Sequence, residues 1–336
     1  MLTSISFENI GEVFAHTDYA AQQKIIAQAN AIKRRYFGDT ISLYAPLYLA
    51  NFCENRCRYC GFRSDTHIKR KVLNETEVAK ECEALVKMGL QSVLLLTGES
   101  RRYSPPDYIK RAAAIASDYF PHLALEVYPL TREEYAMMSA VGVAGVTIYQ
   151  ETYDRERYEE LHITGPKKDF FYRLHTPERI AEAGIRQISI GVLLGLSNWR
   201  KDVEALFRHL RYLEKKYPGV EYTLAFPRLR RVAGDFSTYP EVSDQELMLI
   251  IAVARLLFPR IGISLSTRET AEFRNAALGA GVTRLSAGSS TLVGGYANWE
   301  KTQGQFAIND TRSPIEIKEM LKARAIDPVI TDWRTS

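Results

Sequence analysis

The sequence predicts an α/β fold, a (β/α)8 barrel of the TIM type preceded by a helical extension. Two observations carry this reading. Short β-rich apolar runs alternate with longer helical patterns almost from end to end, the mark of βα units around a parallel sheet. Polar and glycine-rich residues then gather just after those runs, where the loops of such a barrel build its active site. A length of 336 residues suits one large unit of this kind. A doubly wound open sheet is the alternative architecture, because periodicity does not fix strand order.

A helix around Tyr19 to Tyr36 comes first. The strands predicted after it are Ile41–Tyr48, Ser92–Leu96, Leu123–Val127, Gly145–Tyr149, Ile188–Val192, Glu221–Ala225, Gly262–Ser266 and Thr283–Ser286. Between them, Asn74 with Glu77, Thr131 with Glu134 and Ser243 with Glu246 have the spacing of capping boxes. Thr176 stands before Pro177 at a first helical position, and Gly89 and Gly184 sit where helices stop. No linker or repeat divides the chain, so residues 1–40 are expected to form the extension and 41–336 the barrel with a C-terminal closing segment.

Composition excludes several classes. With 46% hydrophobic and 25% charged residues, and 13 prolines spread along the chain, the protein is neither disordered nor fibrous. The longest uninterrupted apolar run, Leu247 to Ala254, ends at Arg255. It is far short of the roughly 20 residues that span a bilayer. Met1 to Val13 lack the pattern of a secretory signal, so a cytoplasmic enzyme is expected. A net charge of +4 is too small to argue for nucleic-acid binding.

Three of the four cysteines fall in one loop, Cys53-x3-Cys57-x2-Cys60, followed by Gly61. Such a cluster reads as metal binding rather than as a disulfide framework. A four-iron cluster normally takes four protein ligands; three would leave one iron open to a substrate or cofactor. Structural zinc held by these cysteines and His67 is the alternative. Cys82 shares the apolar stripe Val78, Cys82, Leu85 and is expected in the core.

The C-x3-C-x2-C loop after a first barrel strand resembles that of the radical S-adenosylmethionine (SAM) superfamily. Leu43 to Tyr48, Tyr59-Cys60-Gly61-Phe62, Gln150 to Tyr153, Gly165 to Phe170, Ser266 to Glu269, Asp327-Pro328-Val329 and Asp332-Trp333 are similar to segments of its aromatic amino acid lyases. The similarity is greatest to the tyrosine-cleaving branch that serves thiamine thiazole synthesis, and it extends from about residue 20 onward. The resemblance implies a 4Fe-4S cluster on Cys53, Cys57 and Cys60, with SAM chelating the open iron. It implies SAM contacts from Gly98 and Glu99 near the amino group, Glu151 near the ribose and Arg173 near the carboxylate. Arg268 is the implied clamp for the substrate carboxylate, with Tyr48 and Ser286 as hydrogen-bond donors. The implied reaction passes through a 5′-deoxyadenosyl radical, which takes a hydrogen from the tyrosine amino group. Cleavage of Cα–Cβ then yields 2-iminoacetate and p-cresol.

Two segments depart from the family pattern. Where the lyases have Ser-x-Pro-Arg followed by Leu-Arg-Pro, this chain reads Ala225-Phe226-Pro227-Arg228-Leu229-Arg230-Arg231, and Thr291-Leu292-Val293 also differs. Tryptophan therefore stands as an alternative substrate. A hydrogenase-cofactor lyase would carry further C-terminal cysteines, and none follows Cys82. From another class, a non-catalytic zinc or nucleic-acid binding barrel would use the basic cluster Arg228, Arg230, Arg231. Expected partners are an aromatic amino acid, an electron donor such as flavodoxin or ferredoxin, and a thiazole synthase, with no nucleic acid and no membrane. No general base is assigned, since His122, His162 and His175 are scattered.

Overall fold

The computed structural model describes residues 5–229, 240–297 and 304–330. Its strands are β1 Thr40–Ala50, β2 Ser92–Thr97, β3 His122–Glu126, β4 Gly145–Glu151, β5 Gln187–Val192, β6 Glu221–Ala225, β7 Gly262–Leu265, β8 Arg284–Ser286 and β9 Asp327–Val329. All pairings between strands are parallel. β2 to β8 lie side by side in chain order, and β1 closes the ring by pairing with both β8 and β2. The barrel is therefore closed, and the open-sheet alternative falls away.

β1 divides its hydrogen bonds along its length. Ser42 to Tyr44 pair with Arg284 to Ser286 of β8, whereas Ala45 to Ala50 pair with Val93 to Thr97 of β2. The register shifts between Tyr48 and Ala50, so the strand bends just before the cysteine loop. A second shift, between Tyr149 and Glu151, bends the end of β4 in the same way. β9 is an addition to the expected eight strands: its three residues pair with Thr40 to Ser42 below the point where β2 joins β1.

All three expected capping boxes form, each with both reciprocal hydrogen bonds. A fourth, Ser313 with Glu316, starts the helix Pro314–Lys322. Gly89 and Gly184 each take a φ of +78°, the left-handed conformation that ends a helix. Another helix, Ile10–His16, precedes the expected one at Tyr19–Phe37. The long apolar run lies in the helix Asp244–Leu257, which buries almost every residue from Leu247 to Arg255. A helix that is apolar all round needs cover on both sides. Tyr19–Phe37 supplies it from outside, with Gln22 Nε2 donating to the Gln245 carbonyl at 2.6 Å. No helix among the described residues is long and apolar enough to cross a membrane.

A buried charge network fixes the C-terminal segment over the barrel mouth. Arg274, in the helix Ala271–Ala277, pairs with Asp310 and donates to the Ser286 carbonyl at the end of β8. Arg312 closes on the same carboxylate at 2.6 Å. Arg274 and Asp310 are fully buried, so removing one strands the other without solvent. Asp310→Ala is expected to cost about 3–5 kcal/mol, against about 0.5–2 kcal/mol for the cap variant Ser313→Ala. Urea unfolding of the two variants checks the order; equal midpoints would contradict it.

Candidate active site

The strands' C-terminal ends and the loops beyond them enclose two adjoining cavities. The first, of about 110 Å³, is lined by Cys53, Cys57, Cys60, Gly98, Glu99, Glu151 and Arg173, among others. The second, of about 80 Å³, is lined by Arg268, Phe306, Pro227 and Leu229. Cys60, Glu126, Tyr149, Glu151, Lys167 and Gln305 line both. A larger cavity of about 570 Å³ opens at the opposite, N-terminal ends of the strands, around Ser42, Gln187 and Thr223, and contains no cysteine.

Several contacts hold the cysteine loop in place. Arg70 reaches across it, its guanidinium donating to the carbonyls of Asn51 at 2.5 Å, Phe62 at 2.8 Å and Arg63 at 2.7 Å. Behind Cys57, His162 Nδ1 donates to the Tyr158 carbonyl at 2.7 Å and Nε2 accepts from the Tyr59 hydroxyl at 2.8 Å. Burial pushes its pKa down to about 3, so the ring is neutral and serves as a brace. His122 lies at the other end of the barrel, where Nε2 meets Gln187 Oε1 at 2.7 Å, and His175 is exposed beside Glu178.

Asn55, between the first two cysteines, is fully buried and links three loops. Its Nδ2 donates to Glu99 Oε2 at 2.5 Å and lies 3.7 Å from Cys53 Sγ, while its Oδ1 accepts from the Lys167 backbone N–H at 2.8 Å. Gly165, at φ +96°, lies with its Cα against Asn55; a Cβ there would come within 2.7 Å of the Asn55 Cα. Gly98 packs so closely on the loop that a Cβ would strike the Phe52 carbonyl. Gln305 closes the roof: Oε1 accepts from the Tyr48 hydroxyl at 2.7 Å, and Nε2 lies 3.7 Å from Cys60 Sγ.

The thiols interact electrostatically with one another, and burial pushes those of Cys53 and Cys57 upward. Bound metal charge is what drives such buried thiols to thiolate. Among the described residues no three His, Cys, Asp or Glu side chains converge on a single ion. Three thiols lining one cavity supply the donor set of a four-iron cluster that keeps one iron open. Amide donors from Asn55 and Gln305 approach two of the sulfurs, as suits thiolates bound to such a cluster. His67 is exposed and is not among the residues that line the cysteine cavity.

Glu151 has a φ of +73°, a strained conformation for a residue with a side chain. The bulge in β4 imposes it and turns the carboxylate toward Lys167 Nζ at 2.6 Å and Arg173 at 3.4 Å. Burial alone would raise its pKa, but these two cations outweigh burial and hold it below the usual carboxylate range. Arg173 also donates to the Tyr149 carbonyl at 2.6 Å.

Arg268 lies against the Phe306 ring, 3.4 Å from its centroid, and its guanidinium donates no hydrogen bond among the described residues. It is a planar donor fork facing a cavity, the geometry that suits a carboxylate. Tyr48 is buried behind Gln305, and burial holds its phenol well above the ordinary range, so it remains a donor. Ser286 lines neither cavity. Its hydroxyl accepts from the Thr267 N–H at 3.1 Å, which braces the turn that carries Arg268.

The departures in sequence lie beside this wall. Ala225 is buried at the end of β6, and Pro227 and Leu229 are what its turn presents to the cavity. Arg228 is enclosed by Glu269, by Asp244 at 2.7 Å and by the Val242 carbonyl at 2.9 Å, so it offers no basic surface to nucleic acid. Arg230, Arg231, Asp332 and Trp333 lie outside the described residues. Asn55, Arg70, Glu126 and Gln305 escape the sequence reading. No spacing rule links Gln305 to Cys60 or Asn55 to Lys167; only the fold does.

Comparison with known proteins gives this architecture its relatives. Residues 47–210 match the Radical SAM superfamily and residues 225–326 the Biotin and Thiamin Synthesis associated domain. The 2-iminoacetate synthase of Salmonella typhimurium is 40% identical over 320 residues, 95% of this chain and 84% of the relative. The FeFe-hydrogenase maturase HydG from Carboxydothermus hydrogenoformans superposes with a TM-score of 0.91 at 32% identity, over 97% of this chain and 76% of that one. Methylornithine synthase (PylB), at a TM-score of 0.79 and 19% identity over 97% of this chain and 95% of its own, shares the fold. Cysteine loop, closed parallel barrel and near-full-length identity agree: the chain belongs to the radical SAM superfamily, within the 2-iminoacetate synthase family.

Proposed function

We propose that this protein cleaves the Cα–Cβ bond of L-tyrosine to 2-iminoacetate and p-cresol for thiamine thiazole synthesis. The observation that carries the reading is Arg268, an uncommitted guanidinium facing a cavity that shares Cys60 with the cysteine-lined one. Near-full-length identity to 2-iminoacetate synthase supports it.

Cys53, Cys57 and Cys60 would hold a 4Fe-4S cluster. Bound there with SAM, the cluster supplies one-electron reduction and a 5′-deoxyadenosyl radical. The chain's own residues do the rest by position. Gly98 lets the loop after β2 lie against the cysteine loop, and Glu99, held by Asn55, presents an acceptor for an amino group. Glu151 offers a carboxylate to sugar hydroxyls, and Arg173 a cation to a carboxylate. Arg268 holds the substrate carboxylate, aided by Tyr48 and by the turn that Ser286 braces. Leu193, Pro227, Leu229 and Phe306 line the second cavity with apolar surface for an aromatic ring and exclude water from it. The reaction consumes an electron and releases a hydrolysable imine. A flavodoxin or ferredoxin as donor, a thiazole synthase as recipient and a cytoplasmic location complete the proposal.

Anaerobically reconstituted protein, reduced with SAM, is expected to form p-cresol and glyoxylate (from hydrolysed imine) with tyrosine, and at most uncoupled SAM cleavage with tryptophan. Mass spectrometry of both mixtures decides this; an indole-derived product formed faster than p-cresol would contradict the assignment. Cys53→Ala, Cys57→Ala and Cys60→Ala should each lose the cluster by iron and sulfide analysis, whereas Cys82→Ala, in the buried stripe of its helix, should keep it. Arg268→Lys should keep cluster and SAM binding yet weaken tyrosine binding, because an ammonium cannot reproduce the bidentate fork. Unchanged tyrosine affinity by calorimetry would exclude the clamp. Asn55→Ala should cost about 1–3 kcal/mol of stability from the groups left unpaired, seen as a lower urea midpoint; an unchanged midpoint would remove Asn55 from its linking role.

A further inference from the structure

Glu126 ends β3 and lines both cavities, between the cysteines on one side and Arg268 on the other. The other carboxylates around the mouth are committed. Glu151 pairs with Lys167 and Arg173, Glu99 accepts from Asn55, Glu54 from Ser100 and Glu269 from Arg228. Among the described residues, no hydrogen bond and no ion pair engages the Glu126 carboxylate. Glu126 is half-buried at the rim, and a carboxylate held there without a partner is costly unless a ligand supplies one.

The groups that face it come from several elements. Arg268 follows β7, Glu151 and Tyr149 lie on β4, Tyr48 on β1, Lys167 on the turn Pro166–Lys168 and Arg173 on the helix Phe170–Leu174. Arg268 is the strongest charge acting on Glu126. In an α-amino acid the nitrogen sits one carbon from the carboxylate. A substrate carboxylate on Arg268 therefore brings its nitrogen into the region that Glu126 borders.

We propose that Glu126 faces the substrate's α-amino nitrogen and accepts the ammonium proton, so that the radical step meets a neutral amine. The transfer is a proton exchange alone: R–NH3+ and the Glu126 carboxylate become R–NH2 and a neutral carboxyl, and no electron moves. A hydrogen atom leaves a neutral amine more readily than an electron-poor ammonium, so the reaction needs this step before it begins. The surroundings favour it. Burial, partly opposed by Arg268, raises the Glu126 pKa to about 7, which narrows the gap to an amine. The cations Arg268, Lys167 and Arg173 around the same space disfavour a further positive charge.

This inference rests on the tyrosine-lyase reading, and its test separates the two. Holoenzyme carrying cluster and SAM, kept unreduced so that nothing turns over, is titrated with L-tyrosine and with 3-(4-hydroxyphenyl)propionate, which lacks the amino group. Wild type should prefer tyrosine by about tenfold or more, the scale of a charge-assisted hydrogen bond. Glu126→Gln, isosteric with the protonated acid, should lose that preference while holding the analogue as wild type does.

Reduced enzyme supplies the second readout. Glu126→Gln should form p-cresol about 100-fold or more slowly. Because a base acts ionised, the wild-type rate should rise with pH through about 7, the Glu126 pKa. Glu126→Asp, which keeps a carboxylate, should recover part of the rate and retain a pH limb. A preserved tyrosine preference in Glu126→Gln, or p-cresol formed at the wild-type rate and pH profile, would overturn the inference. Wild type that binds no tyrosine would instead overturn the substrate reading, and the role of Glu126 with it.

Discussion

Everything at the mouth of this barrel depends on how β1 shares its hydrogen bonds. Its lower half joins β8 and its upper half joins β2, so one strand both closes the ring and carries the cysteine loop. The register shift at Tyr48/Ala50 bends the strand just before that loop. Without closure, Arg268 after β7 and Cys53 after β1 would stand at opposite edges of an open sheet. With closure, only β8 lies between β7 and β1, and two cavities that share six residues fit between their loops.

The bulged ends of β1 and β4 serve the site in the same way. Each interrupts the regular ladder one residue short of the chemistry, and each leaves the following residue outside the alternation that a strand would impose. At Glu151 the cost is a left-handed backbone, offset by two cations on its carboxylate, Lys167 and the buried Arg173. Single side chains link the loops at the mouth to one another. Asn55 and Arg70 secure the cysteine loop, and Asp310 the segment that brings Gln305 and Phe306 over the cavities.

All eight barrel strands are legible in the sequence because buried parallel strands read as short apolar runs between well-marked helix caps. What escapes notice is short or unpatterned. β9 is three residues long with a proline at its centre, a composition that argues against a strand, and pairing along the edge of β1 overrides it. The helix Pro314–Lys322 could have been found, since Ser313-Pro314 with Glu316 is a cap signal in plain view. The cysteine spacing and the residues after each strand lead to the site. Glu126 is hidden by its neighbour: apolar Val127 extends the predicted strand past the rim, whereas β3 ends at Glu126. Gln305 and Asn55 act through partners more than a hundred residues away, which no local pattern reveals.

A crystal structure of reconstituted enzyme with SAM and L-tyrosine tests the central claim most directly. The account predicts three cysteine sulfurs on a four-iron cluster, SAM on the remaining iron, and the tyrosine carboxylate paired with Arg268 while its ring lies against Leu193 and Leu229. A fourth protein ligand on the cluster, or tyrosine bound away from Arg268, would contradict it.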